Sequence, residues 1–326
     1  MLYYFRNKGD APMQSRHRVE RRIRLHDLHV LMTVAQAGSM NKAAALLNTT
    51  QPAISRSIAE LENLVGVRLL DRNRQGVAPT EYGRALLNGG VAVFDDLHQA
   101  MKNIEFLADP NVGEIRIGGN EAFNAGLLSA VFARLRRKHP GISIHVTPAL
   151  SETQQYRELR ERNIELFLGS LPASAADDMD AEILFHDRIV VVASAKSPWA
   201  RRRKVELREL ANEPWGVPRP EIGIGAAIGD AFRACGMKFP PKGAAMGSIH
   251  LFCALLASEP FVSTFPASAL RLSPNLPPIK PLPLDLRIPP WPVGIMTLKN
   301  RTLSAAVQLF IDCARDVVKP LVGASS

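Results

Sequence analysis

The chain has 326 residues, 46% hydrophobic, 22% charged and 6% aromatic, with a formal charge of +9 at pH 7. That length holds two or three folded domains, and that composition excludes a disordered, collagenous or disulfide-stapled chain. The basic balance points to nucleic acid or another anionic surface, but it is uneven: residues 1–24 carry net +5, 25–108 net −1 and 109–326 net +5.

Residues 1–24, basic and without apolar period, read as a disordered arm. A first helix is predicted over about Asp27–Ala37, with Leu28, Leu31, Met32 and Ala35 on one face and Gly38 as its stop. Ser39 is placed to cap a second helix, Met40–Leu47, in which small Ala43 and Ala44 allow a close crossing. After the Asn48-Thr49 turn, Thr50 caps a third helix with Pro52 in its first turn. Ile54, Ile58, Leu61 and Val65 form its buried stripe and Gly66 ends it.

Gln51, Ser55 and Arg56 are left on the opposite, N-terminal face of that helix. Gln pairs with adenine edges, Arg with guanine, and Ser with bases or phosphate, and a recognition helix presents this turn to the major groove. No acid occurs from Leu28 to Ala59, whereas Lys42 and Arg56 are present. Acids there would repel phosphate. Val67–Leu70 and Gly76–Ala78 flank Asp71–Gln75 as a two-stranded wing, offering Arg68, Arg72 and Arg74 to phosphate or the minor groove. A small helical bundle with a solvated basic hairpin has the same periodicity.

The spacing of leucines in the first helix, GS-x-x-x-AA at Gly38–Ala44, QPA-x-SR-x-I at Gln51–Ile58, LE-x-x-x-G-x-RL-x-x-R at Leu61–Arg72 and T-x-x-G at Thr80–Gly83 together resemble the N-terminal domain of LysR-type transcriptional regulators. The resemblance implies a winged helix-turn-helix over 25–84 and a linker and dimerisation helix over 85–108. It further implies an α/β effector domain over 109–326, of two βα subdomains like those of periplasmic binding proteins. By it, Gln51, Pro52, Ser55 and Arg56 are recognition-helix contacts and Arg72 the wing contact; Arg74, Lys42 and Thr50 complete the expected DNA-facing set. Three positions depart from the common pattern: the arm itself, Asn41-Lys42 before the alanine pair, and Pro79 before Thr80.

Thr80 is read as the cap of the linker helix. Leu87, Val91, Phe94, Leu97, Met101 and Ile104 follow at intervals averaging about 3.5, the period of a two-stranded helical seam. One amphipathic helix lying on its own domain has the same pattern. The resemblance implies a homodimer, and in many members a homotetramer.

From Gly113 strands and helices alternate: strand Gly113–Gly119, helix Asn124–Lys138, strand Ile142–Thr147, helix Glu152–Arg162 and strand Ile164–Gly169, a βαβαβ run. Strand Ile183–Ser194, helices Ile224–Cys235 and Ile249–Ala257, and strand Phe261–Phe265 follow. Nine prolines in 266–292 exclude a regular interior, and strand Gly294–Leu298 and helix Leu303–Val318 close the pattern. The chain is expected to cross between subdomains near Leu171–Asp180 and within 266–285. Subdomain I then covers about 112–172 and 280–320, and subdomain II about 173–279.

Ligands of such sheets bind at strand carboxyl ends, facing helix N-termini. Asn120, Glu121, Thr147, Arg219 and Ser248 are therefore the expected effector contacts. Helix starts near Asn120 and Ser248, with Arg219, favour a small anion, and Glu121 opposes one. Arg219 equally fits a surface loop between two prolines. Gly223–Gly229 spaces its glycines as GxGxxxG after a non-strand segment, so a dinucleotide site is not expected. The Arg201–Lys204 run reads as a solvated loop.

Cys235, Cys253 and Cys313 are isolated and the histidines do not cluster, so no metal site or cofactor is expected, and a reducing cytoplasmic location fits. No run of 18 apolar residues suggests a membrane span. No nucleophile–base motif calls for an enzyme. The reading is a DNA-binding regulator controlled by a small molecule, with double-stranded DNA, an effector, its own copies and RNA polymerase as partners. The alternative is a small-molecule binding protein or enzyme carrying a helical oligomerisation segment.

Overall fold

The computed structural model describes residues 22–73, 76–148, 151–219, 224–239, 243–245, 248–258, 261–273, 276 and 278–322. Arg74 and most of the expected arm lie outside the described residues. The chain divides into two compact units after His98.

The first unit contains α1 (Leu25–Ala37), α2 (Met40–Leu46), α3 (Gln51–Val65), β1 (Leu70–Asn73) and β2 (Gly76–Pro79). Gly38 and Gly66 end α1 and α3 at φ 63° and 77°, the left-handed conformation that only glycine adopts without strain. Val30, Leu31, Val34, Met40, Ala43, Ala44, Ile54, Ile58, Leu61, Leu69 and Leu70 form one core. The buried face of α1 thus turns from the expected Met32 and Ala35 toward Val30 and Val34. Met32 instead meets Gly90, in the helix α4 (Glu81–Ala108) that follows the wing. Ser39 and Thr50 occupy extended cap positions, but neither side chain makes a capping bond.

The wing is shifted from its expected register: Leu70–Asn73 pairs antiparallel with Gly76–Pro79, so Asp71 and Arg72 are strand residues rather than turn. Two contacts set it. Glu62 Oε1 accepts the amides of Leu69 and Leu70 at 2.7 and 3.1 Å, and the Gly38 carbonyl accepts the amide of Val77 at 2.9 Å.

α4 is capped, as predicted, by Thr80, whose Oγ1 accepts the Gly83 amide at 3.0 Å while donating to the Arg68 carbonyl at 2.8 Å. The division between units falls inside this helix. Its early apolar residues pack inward: Leu86 and Leu87 join the first core, and Phe94 lies 5.8 Å from the ring of His29.

The second unit holds two five-stranded sheets. The first, in the order β4-β3-β5-β12-β6, contains β3 (Gly113–Gly119), β4 (Ile142–Pro148), β5 (Leu166–Ser170), β6 (Met179–Asp187) and β12 (Trp291–Leu298). β3 runs parallel to β4 and β5, while β12 is antiparallel to β5 and β6. After β3 the chain coils through Glu121–Phe123 and a π-helical turn, Asn124–Leu128, into α5 (Ser129–Lys138); α6 (Glu152–Arg160) joins β4 to β5.

The second sheet, in the order β11-β7-β10-β8-β9, contains β7 (Ile189–Ser194), β8 (Trp215–Val217), β9 (Gly243–Ala245), β10 (Val262–Pro266) and β11 (Ile279–Pro281). α7 (Gly225–Ala234), α8 (Ile249–Ser258) and α9 (Ala267–Leu272) accompany it, and α10 (Ala305–Val322) packs on the first sheet.

This topology corrects three expectations. The single strand Ile183–Ser194 is two strands, the end of β6 and β7, in different sheets. The first crossing therefore falls at Arg188 rather than at Leu171–Asp180. Residues 282–288, with β11 before them, belong with the second sheet, so the second crossing lies beyond them rather than within 266–285. The subdomain limits at 172/173 and 279/280 move accordingly. The proline-rich stretch contains α9 and β11 between its prolines. The polar triplet His186-Asp187-Arg188 falls at the crossing, but nothing local says which sheet each apolar half will join.

Asp187 marks the first crossing. It is buried, its Oδ1 accepts the amides of Arg188 and Ser268 at 2.8 and 3.2 Å, and its Oδ2 accepts from Ser268 Oγ at 2.5 Å. Burial pushes this carboxyl above the usual carboxylate range, against the pull of those hydrogen bonds.

Candidate nucleic-acid interface and effector cleft

The DNA-facing candidates gather on the leading turns of α3. Pro52 and Arg56 are exposed, Gln51 and Ser55 half-buried, and Thr50 stands exposed at the cap. The first turn of α3 contains no acid. Lys42 is exposed on α2. The wing reaches this surface directly: Arg72 Nη2 donates to Ser55 Oγ at 3.2 Å. α3 and the wing thus share one polar edge, with Arg56 exposed on the same helix.

The clip holding the wing has no clear signature in the sequence. Glu62 lies inside the LE-x-x-x-G spacing, which flags the residue but not its role as acceptor for two wing amides. Gly83 is buried, and a Cβ built on it would sit 2.0 Å from the Leu69 carbonyl oxygen, so only glycine fits there.

In the second unit, the parallel strands bring Asn120, Glu121 and Thr147 to the carboxyl edge of the first sheet. Asn120 is fixed: its Oδ1 accepts the Ser170 amide at 3.1 Å, and a Cβ on Gly169 would meet that oxygen. Glu121 and Thr147 are half-buried. Arg219 and Ser248 follow β8 and β9, which are parallel, at the corresponding edge of the second sheet. Arg219 is exposed, and Ser248 Oγ accepts the Leu251 amide at 3.4 Å near the start of α8. Their neighbours Ala149, Pro220, Glu221 and Gly247 lie outside the described residues.

Asn124, in the π turn, joins this edge without being marked in the sequence. Its Nδ2 donates to the Gly119 carbonyl at 3.4 Å, and its Oδ1 is buried without a partner among the described residues. Such turns recur at functional sites. The Arg201–Lys204 run is partly neutralised: Arg202 stacks on Trp199 and pairs with Glu209 at 2.6 Å, and Lys204 pairs with Glu206 at 3.3 Å.

The family model described as bacterial regulatory helix-turn-helix protein, lysR family, matches residues 25–84, and the LysR substrate binding domain matches residues 108–319. The chain belongs to the LysR family of bacterial transcriptional regulators. Members are DNA-binding regulators with an effector-binding domain and not enzymes. They bind DNA and oligomerise. The chain is 27% identical over 296 residues to the uncharacterized HTH-type transcriptional regulator YdcI of Escherichia coli (strain K12), covering 90% of this chain and 95% of that protein.

Its fold is similar to that of a full-length single-substitution variant of OxyR from Pseudomonas aeruginosa (TM-score 0.61, 21% identity, 90% and 95% of the two chains). It is also similar to full-length CbnR complexed with its target DNA (TM-score 0.60, 18% identity, 90% and 99%). Among the described residues no helix is long and apolar enough to cross a membrane.

Proposed function

We propose that this LysR-family regulator binds a two-half-site operator as a homodimer or higher oligomer. On this reading Gln51, Ser55 and Arg56 read bases, while Thr50, Pro52, Lys42, Arg72 and Arg74 fix the protein on the backbone. The observation that carries the reading is the joined edge of α3 and the wing, where Arg72 meets Ser55 beside exposed Arg56.

Val93, Leu97, Met101, Ile104 and Leu107 of α4 are 45–82% exposed. That apolar row supports self-association through α4, with Leu97, Met101 and Ile104 serving the seam and Leu87 and Phe94 serving the chain's own first core. A small anion is the proposed effector, held near Asn120, Thr147, Arg219 and Ser248, with Glu121 selecting against a second negative charge. RNA polymerase is the partner such a regulator meets at a promoter, and the bacterial cytoplasm is where it acts.

Arg56→Ala tests the DNA reading. In a gel shift at fixed salt on the DNA upstream of its own gene, binding should weaken by about 1–3 kcal/mol. Unchanged affinity removes Arg56 from base readout.

A further inference from the structure

The last ten residues of α4 lie in the same compact unit as the two sheets. Gln99, Lys102, Asn103 and Phe106 occupy one helical face there. Gln99 Nε2 donates to Glu165 Oε1 at 2.8 Å, and Lys102 Nζ donates to the same oxygen and to the Glu114 carbonyl, both at 3.2 Å. Glu165 Oε2 accepts the Arg116 amide at 2.9 Å, and the Glu165 amide returns to the Arg116 carbonyl at 2.8 Å. Asn103 Oδ1 takes the amide of Ala305, the first residue of α10, at 2.8 Å, and Phe106 packs on the core beneath the first sheet.

Glu165 is wholly buried and the Lys102 side chain only 11% exposed. An ion pair this deep adds little stability over an apolar pair of equal volume, but it penalises every geometry that separates the charges. Gln99 Oε1 is buried without a partner among the described residues, so this amide is held for what its nitrogen does. The clamp also has a direction. It grips Glu114 and Arg116 in the amino-terminal half of β3 and the residue just before β5. The opposite ends of those strands are Gly119-Asn120 and Gly169-Ser170, tied by the Asn120–Ser170 bond.

We propose that Glu165 is a positioning residue for the regulatory signal: it locks the rotational setting of residues 99–108 of α4 onto the amino-terminal half of β3 and the amino end of β5, whose carboxyl ends form the proposed effector edge. A shift of either strand then turns the helix, and the continuous hydrogen-bond ladder of α4 carries that turn toward Glu81. The inference rests on the proposed DNA-binding reading, which fails on a different observation, an Arg56→Ala protein that binds as tightly as the wild type.

The test uses full-length protein without effector, as Lys102→Met, which strands the buried carboxylate, and as Gln99→Leu, which keeps the ion pair and remains readable if the first variant does not fold. Hydrogen exchange of residues 99–108 should accelerate by about tenfold or more in either variant while β3 and β5 stay protected. The bend imposed on the DNA upstream of its own gene, measured by circular permutation, should change, with affinity for a single half-site retained. Unchanged exchange in 99–108 overturns the clamp. Faster exchange with an unchanged DNA bend overturns the positioning role and leaves only a structural one.

Discussion

Glu62 makes the local energetics of the DNA-binding unit measurable. Its Oε1 accepts the amides of Leu69 and Leu70 at 2.7 and 3.1 Å, and these two residues are 2% and 5% exposed. Glu62→Ala therefore leaves two backbone donors stranded where the chain turns from α3 into the wing. A hydrogen bond to a charged group contributes about 1.5–3 kcal/mol when buried; discounting for a half-exposed carboxylate that water can partly replace, the two together amount to about 2–3 kcal/mol. Glu62→Gln keeps the accepting oxygen and loses the charge, so about half that loss is expected. Native-state hydrogen exchange of the amides packed under α3 reads this unit separately within the full chain. A loss below about 0.5 kcal/mol for Glu62→Ala would show that water replaces the carboxylate fully and would refute the clip.

Gly83→Ala places a methyl against the Leu69 carbonyl, a backbone atom that cannot rotate away. The cost should be about 1–3 kcal/mol in urea unfolding of the same unit, and a neutral result would mean α4 shifts freely at its start. Asp187→Asn tests the first crossing. Because the folded carboxyl holds its proton more tightly than the unfolded one, the wild type gains stability as pH falls through its raised folded pKa toward the ordinary carboxylate value, and the amide does not. As pH falls toward the ordinary carboxylate value, stability of the wild type should rise relative to Asp187→Asn in paired denaturation curves; a pH-independent difference would remove burial as the dominant influence on this group. Glu158, Asp178, Glu209 and Asp316, held below the usual range by hydrogen bonds from arginine, lysine or backbone donors, weaken both proteins alike in acid and cancel.

Much of the DNA-binding unit is legible in sequence because its rules are local. Gly38 and Gly66 stop helices through their own φ, and the Ile54–Ile58–Leu61 stripe declares a buried face. Legibility ends where a second partner decides. Met32 fits the α1 stripe as well as Val34 does, yet it lies beside Gly90 of α4 instead of in the first core. The period of α4 flags Leu87, Phe94, Leu97 and Ile104 alike, though the first two pack within their own unit and the last two remain exposed. β6 and β7 read as one strand although His186-Asp187-Arg188 interrupts the apolar run, because the partners that separate them, Trp291–Leu298 and Val262–Pro266, lie far along the chain. Strand-end logic finds Asn120 but not Asn124, since a π turn has no sequence period of its own.

One chemical device recurs at the joints. Glu62 receives two amides where α3 meets the wing, Glu165 receives the Arg116 amide where α4 meets the first sheet, and Asp187 receives the Arg188 and Ser268 amides where one sheet passes to the next. A carboxylate accepting backbone amides is directional and charge-assisted, and it resists any movement that separates donor from acceptor while water is excluded. The same charges would oppose phosphate on the recognition surface, and Leu28–Ala59 contains none. The segment 25–84 has a net charge of only +1, so what favours DNA there is placement: no acid between Leu28 and Ala59, and exposed cations at Lys42, Arg56 and Arg72. The bulk charge of +9 sits mainly elsewhere in the chain and cannot supply that arrangement.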